Sequence, residues 1–348
     1  MQRLQTKTFQ WRYSLLLMPI ILWLPAGNAH ATLNVSCKAN MNTGVVNISN
    51  AITAANSESE SITGNLEYSC TNTGDTAGYV SICLAADGGD KPNAFIPRYI
   101  KTVSNTHELA FNMTLPEGNK TWGTRTSGLG TEYNSGAIYI PARPTTSGQS
   151  SISGQVVINI SLLPNNGNAL AIPGTYSNNF NGDLTFESAE NSSLTDCLEG
   201  VQDKSHSFSF TVQATVISSC EINTTSDINL GPHPANETDI LGNSSAINMT
   251  CTNDAPYNIG LSPSNGDKNG AGVMSGTDNN PRVPYQLFSN ISRTTKWGNN
   301  GSTYDTLTNG LIGKGKGVPE IHTVYVTVPS ADFKPDNYSD IVSVQVNY

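Results

Sequence analysis

His206-Ser207-Phe208-Ser209-Phe210-Thr211-Val212-Gln213-Ala214-Thr215-Val216-Ile217-Ser218-Ser219-Cys220 alternates apolar and polar residues over most of its length. Phe208, Phe210, Val212, Ala214 and Val216 fall at every second position, with Ser209, Thr211, Gln213 and Thr215 between them. A period of two, rich in β-favouring residues, reads as a strand with one buried face. Just beyond it, Ser219-Cys220-Glu221 echoes Ser36-Cys37-Lys38 near the other end of the chain. The strand therefore closes one unit, opens a second, or does both.

Working outward, the echo extends into a repeat. Cys70-Thr71-Asn72 returns as Cys251-Thr252-Asn253, and Tyr79 with Gly89-Asp90-Lys91 returns as Tyr257 with Gly266-Asp267-Lys268. Trp122-Gly123 follows the strand-like Leu109 to Leu115, as Trp297-Gly298 follows Tyr285 to Ile291. Tyr176-Ser177 after Pro173-Gly174-Thr175 matches Tyr338-Ser339 after Pro335-Asp336-Asn337. The order is kept throughout. Two related β-domains, 32–210 and 211–348, are expected.

The repeat also sorts the six cysteines. Cys37 with Cys70 and Cys220 with Cys251 occupy matching places, so each pair is expected to staple the first strand of its domain to the second. Closing a loop of about 30 residues stabilises by roughly 3–4 kcal/mol in the chain-entropy model. Cys83 and Cys197 have no counterparts in the second half and are expected to pair with each other.

Disulfides require an oxidising compartment, and the N-terminus supplies the route. Arg3, Lys7 and Arg12 precede an apolar run from Leu15 to Leu24, followed by Ala29-His30-Ala31. That is the form of a secretory signal peptide over residues 1–31, with maturation expected at Thr32. No later run approaches the roughly 20 apolar residues of a spanning helix. The net charge is −9, and removing the three basic residues of the leader makes it −12, which argues against nucleic acid as a partner. Charged residues are 13% of the chain, against about 25% in typical soluble domains. Asn, Ser, Thr and Gly take their place and favour turns and short strands. No stretch holds a sustained 3.6-residue period, so the chain reads as all-β.

Strands are expected near 33–37, 63–70, 79–85, 107–115, 152–163, 176–187 and 206–215, then near 210–221, 244–251, 257–262, 284–291, 321–328 and 338–348. Short strands with turn residues between them suggest two Ig-like sandwiches. The second has one strand fewer. On its last, Val342, Val344, Val346 and Tyr348 face one way, and nothing follows to match 206–215. A sandwich short of a strand exposes an apolar groove bounded by unpaired backbone.

The pattern Pro335…Asn337-Tyr338-Ser339-Asp340-Ile341-Val342-Ser343-Val344-Gln345-Val346-Asn347-Tyr348, with Cys220, Cys251 and Trp297-Gly298, resembles the spore coat U family. That family includes subunits of archaic chaperone–usher pili of the Csu type. The resemblance is strong over 210–348 and weaker over 32–188. It implies pilin-type Ig-like domains, the second lacking its last strand. It also implies a periplasmic chaperone, an usher, and an adjacent pilin subunit that donates a strand. An ordinary pilin of this kind carries a free alternating extension before its first cysteine. Here only Thr32 to Ser36 precede Cys37, and the alternating segment sits inside the chain. The expectation is a two-domain tip adhesin, exported through the periplasm to the cell surface, that mediates attachment and biofilm formation. The first domain would be the adhesin and the second the connector.

Enzymatic chemistry finds no support in the motifs. His107, His206, His233 and His322 lack metal-motif spacing, and no GxSxG, HExxH or P-loop occurs. No cofactor is expected. The Asp87–Asp90 and Asp278-Asn279-Asn280 clusters lack the spacing of a calcium loop and read as turns. Three apolar stretches fall where loops are expected and are candidates for an adhesive tip. They contain Phe95 and Ile96; Ile138, Tyr139 and Ile140; and Leu170 and Ile172. The target would be a surface or a host ligand. The alternative is a secreted or periplasmic carbohydrate-binding β-sandwich that stacks a sugar on Trp122, Tyr133 or Tyr139.

Overall fold

The computed structural model describes residues 32–41, 43–104, 106–125, 130–199, 204–277, 281–299 and 309–348. The expected signal peptide and the Asp278-Asn279-Asn280 turn lie outside the described residues. The fold is all-β, with no α-helix among the described residues. Two separate apolar clusters form, one from Val35 to Val216 and one from Ile240 to Val346. Each is the filling of an Ig-like, pilin-type sandwich.

The first sandwich is built from β1 (Val35–Met41), β2 (Val45–Asn47), β3 (Ser61–Asn72), β4 (Gly78–Ala86), β5 (Arg98–Thr102), β6 (Glu108–Thr114), β7 (Tyr133–Asn134), β8 (Ile138–Ile140), β9 (Ser150–Leu162), β10 (Gly174–Ala189) and β11 (Lys204–Val216). Hydrogen bonding runs in the order β1-β3-β9-β6-β5-β10-β11-β2, while β4 pairs with β10, β7 and β8. The second contains β12 (Cys220–Thr225), β13 (Thr238–Cys251), β14 (Pro256–Pro263), β15 (Ala271–Ser275), β16 (Arg282–Phe288), β17 (Leu311–Lys314), β18 (Pro319–Ser330) and β19 (Val342–Asn347). These form a five-stranded sheet, β12-β13-β18-β16-β15, and a three-stranded one, β17-β14-β19.

The alternating stretch closes the first core and only the first. β11 pairs antiparallel with β10 from Gly174↔Val216 to Phe186↔Lys204. Phe208, Phe210, Val212, Ala214 and Val216 are all buried. On its other edge β11 pairs in parallel with β2, and the bonding continues as Ile48 N–H donates to Gln213 O (2.8 Å) and Ile52 N–H to Thr215 O (2.9 Å). The single strand expected over 210–221 does not form. Ile217 N–H donates to Ile52 O, and Ile217 O accepts from the Thr252 hydroxyl, both at 2.9 Å. These bonds turn the chain out of the ladder before β12 begins at Cys220. The last strand is likewise shorter than 338–348, because Ser339 pairs with Ser275 instead of with β14. β2, β5, β7, β8, β15 and β17 are not among the expected strands; all six are two to five residues long.

The repeated residues do the same work in each sandwich. Trp122 and Trp297 are both fully buried, and their indole N–H groups donate to Leu84 O on β4 (2.9 Å) and Ile259 O on β14 (2.7 Å). A buried indole needs such a partner. The Tyr176 hydroxyl donates to Ile172 O (2.9 Å), and the Tyr338 hydroxyl donates to Lys334 O (2.6 Å), each four residues upstream. This is a tyrosine-corner bond at the entry to the last strand of each repeat. The three disulfides are Cys37–Cys70, Cys83–Cys197 and Cys220–Cys251, and the first and third join directly opposed residues of neighbouring strands.

One buried charge organises the first core's loops. Arg98 is fully buried, and its guanidinium donates to Asp87 O (2.9 Å), Ala86 O (3.2 Å) and Trp122 O (2.6 Å). Burial pulls its pKa down to about 9, against a smaller opposing pull from Asp87. Hydrogen bonds from a charged donor are worth about 1.5–3 kcal/mol, and stranded carbonyls carry a further penalty. Arg98→Met should therefore lower unfolding free energy by roughly 3 kcal/mol or more, measured by denaturant titration of the folded chain. A loss below about 1 kcal/mol would mean that the loops hold without it.

Candidate functional site

Two surfaces correspond to the sequence-predicted sites. The first is the outer edge of β19. Its inner edge pairs antiparallel with β14, from Asn258↔Asn347 to Pro263↔Val342. Among the described residues no strand pairs with its other edge. β10 holds the corresponding place in the first sandwich, paired on one side with β4 and on the other with β11.

Burial records the difference. On β10 the inward residues Tyr176, Phe180 and Leu184 are 0% exposed and Phe186 is 5% exposed. On β19, Val342, Val344 and Val346 are only half-buried, and Tyr348 just beyond it is 53% exposed. The opposite wall behaves alike. Ala39, two residues after Cys37, is 4% exposed, while Ile222, two residues after Cys220, is 37% exposed. In the first sandwich β11 lies against both β10 and β1. The second therefore has an apolar groove between β19 and β12 where the first has a strand.

Polar groups brace the groove wall. The Tyr285 hydroxyl donates to Asp340 Oδ2 at 2.6 Å, and Asp340 Oδ1 accepts from Ile341 N–H at 2.8 Å. Burial first, then the Asp340 carboxylate, pushes the Tyr285 phenol pKa up, so it stays a donor. His322 is half-buried beside Tyr257 and Glu320. Burial is the main cause of its lowered pKa, and it works against the pull of Glu320.

The second surface is the set of apolar loops, and the structure divides it. Phe95 is 2% exposed, with the Arg98 guanidinium 5.0 Å from its ring centroid, and Ile140 is 0% exposed. Neither protrudes as expected. Phe95 packs over the buried arginine, and Ile140 is carried inward because 138–140 is strand β8, paired to β4. Ile138 is half-buried against the same core. Ile96 and Tyr139 are 61% and 54% exposed, but they lie by opposite ends of β4. Leu170 is 53% exposed, and its carbonyl accepts from Asn253 Nδ2 at 2.6 Å, so its loop borders the second core. Ile172 binds back to the Tyr176 hydroxyl in the same loop. The far end of the first sandwich therefore keeps Tyr139 alone of the predicted set.

Two further exposed residues of the first sandwich went unpredicted. Leu194 (68%) and Leu198 (45%) flank Cys197, in the excursion that the Cys83–Cys197 bond ties to β4. Leucines in a polar stretch carry little signal until the disulfide fixes where the stretch lies. Trp122 is buried, so it is no sugar platform. Tyr133 is half-buried against Tyr68, with ring centroids 6.4 Å apart. Asp87 is structural, since its Oδ1 accepts from Gly89 N–H and Asn181 N–H. Among the described residues no group of three His, Cys, Asp or Glu could hold a metal.

The chain thus folds as a pair of Ig-like sandwiches of pilin type, one strand-complete and one with an open edge. Residues 206–345 match the family model of the Spore Coat Protein U domain. Among solved structures, a chain of the CsuC–CsuE chaperone–tip adhesion subunit pre-assembly complex, from archaic chaperone–usher Csu pili of Acinetobacter baumannii, is similar in fold. It is 13% identical at a TM-score of 0.50, over 90% of this chain and 100% of that one. The CupB6 tip adhesin of Pseudomonas aeruginosa matches at TM-score 0.36 and 9% identity, over 90% and 96%. CfaE, the adhesive subunit of CFA/I fimbria of enterotoxigenic Escherichia coli, matches at TM-score 0.32 and 10% identity, over 87% and 92%. No curated protein matches the chain.

The groove predicts unequal accessibility at equivalent strand positions. Val346→Cys should react readily with a water-soluble thiol reagent in the folded protein, while Leu184→Cys should stay protected until unfolding. Equal protection at both, read by mass spectrometry, would mean that the groove is already filled.

Proposed function

We propose that the chain is the tip adhesin of a chaperone–usher pilus, with a first domain (32–210) that contacts the target and a second (211–348) that joins it to the fibre. One observation carries this reading: the tyrosine-anchored last strand is covered by β11 in the first sandwich and bare in the second. A bare edge beside half-buried valines invites β-augmentation, in which backbone bonds give affinity and alternate side chains give fit. The donor is an adjacent pilin subunit, and a periplasmic chaperone guards the groove until the usher assembles the fibre. Because β11 is used within the chain, that strand is not offered to a neighbour. This favours a terminal place in the pilus, on the cell surface. The far end of the first domain would meet an abiotic surface or host ligand and support biofilm formation. Tyr139, Leu194 and Leu198 replace Phe95, Ile138 and Ile140 as the residues to test.

The experiment is expression in the periplasm with and without the cognate chaperone. Alone, the chain should aggregate or be degraded. With the chaperone it should accumulate, since a partner that binds the folded state stabilises it by mass action. Equal yields of soluble monomer in both cases would refute strand acceptance. Adhesion is tested separately by Tyr139→Ser, Leu194→Ser and Leu198→Ser, singly and together. These exposed positions should change stability by about 0.5 kcal/mol or less, leave pilus number unchanged and reduce attached cells. Phe95→Ser should instead cost roughly 3 kcal/mol or more by emptying a packed site. Full attachment by the triple variant would place the adhesive surface elsewhere.

A further inference from the structure

The filled groove of the first sandwich serves as a template for the empty one, because two independent anchors give the same alignment between them. The tyrosine-corner bond matches Tyr176 to Tyr338. The tryptophan bond matches Leu84 to Ile259, and these pair with Leu184 and Val346 respectively. Both matches are offset by the same number of residues, so β10 maps onto the last strand without a gap. Phe180 then corresponds to Val342, Gly182 to Val344, and Asn178 to Asp340.

In the first groove, Phe210 stands opposite Phe180 and stacks on it at 5.6 Å between centroids. Phe208 stands opposite Gly182, and a Cβ added at that glycine would fall inside the Phe208 ring. Large against large is followed by large against nothing. The second groove has no such gap, because valine stands at both places. At Val342 the floor is smaller than Phe180, and at Val344 it is larger than Gly182.

We infer that the strand taken by the second sandwich runs antiparallel to β19 in the register of β11 on β10. It sets a large apolar residue opposite Val342 and a small one opposite Val344. The inference rests on the reading of β19 as a strand acceptor. The occupant is thus an alternating segment that differs from β11 in one respect, the side chain at the place of Phe208. The β11 sequence itself is excluded by size, so the chain's own internal strand cannot cross-fill the second groove of another copy. The residue opposite Asp340 takes the place of Val212, against a wall that holds a carboxylate bonded to Tyr285.

The test appends a strand after Tyr348 of the full chain through a short Gly/Ser linker, as a copy of residues 204–217. One fusion carries the native sequence and the other carries Phe208→Ala in the appended copy. The alanine copy should melt at the higher temperature. In competition between the two as added peptides, the native sequence should bind about tenfold or more weakly, the usual penalty of an overpacked site. Val344→Gly in the chain should reverse the order.

A disulfide trap reads the register without relying on that glycine variant. Ser343→Cys corresponds to Asn181, which stands opposite Ser209, so it should bond with Ser209→Cys of the appended copy and not with Ser207→Cys or Thr211→Cys. A trap at either shifted position, or a melting order that Val344→Gly leaves unchanged, overturns the register while leaving strand acceptance intact. If neither fusion stabilises the chain over the unfused protein, strand acceptance falls and the register falls with it.

Discussion

The antiparallel ladder between β10 and β11 is the interaction on which the first sandwich depends. It runs the whole length of β11, thirteen residues, and satisfies backbone groups that would otherwise be stranded at a sheet edge. The same strand delivers two phenylalanines, two valines and an alanine to the core, each large one worth roughly 1.5–3 kcal/mol when buried. Phe210 stacks both on Phe180 and on Trp122, at 5.6 and 6.0 Å. Without β11 the first core would look as the second does, with its last strand half-wet.

The walls of the groove are tied by contacts that lie outside it. Trp297 ties β14 to the loop beyond β16, and Cys220–Cys251 ties β12 to β13. The Tyr338 bond sets where the last strand enters, and the Tyr285–Asp340 bond joins that strand to β16 on the opposite sheet. None of these contacts uses the missing strand. On the proposed reading, such ties would spare an incoming strand part of the cost of ordering its acceptor.

The repeat was legible in the sequence because its anchors are chemically irreplaceable. Only tryptophan offers an indole N–H, only tyrosine reaches four residues back with a hydroxyl, and only cysteine pairs covalently. Strand positions between the anchors followed from alternation. The burial of Phe95 and Ile140 is not legible in the sequence for a related reason. Phe95 is buried because Arg98 turns inward beneath it, and nothing in a local run announces a buried arginine. Ile140 is buried because 138–140 adds a strand to β4, a pairing across more than fifty residues. The break between β11 and β12 is not legible locally either, since the backbone of Ile217 is held by Ile52 and Thr252, both remote in sequence.

The two grooves also differ in how they can be filled, and this follows from tethering. β11 is joined to β10 by the residues between Ala189 and Lys204, so its effective concentration at the first groove is set by a short linker. For short links that concentration is on the order of millimolar. A free strand of equal affinity would have to exceed it to displace β11. On the proposed reading, the second groove has no tethered competitor among the described residues, so its strand would come from outside the chain. Selectivity there must come from side-chain fit and not from connectivity. Under the inferred register, the exchange of Gly182 in the first groove for Val344 in the second is where such fit would be set.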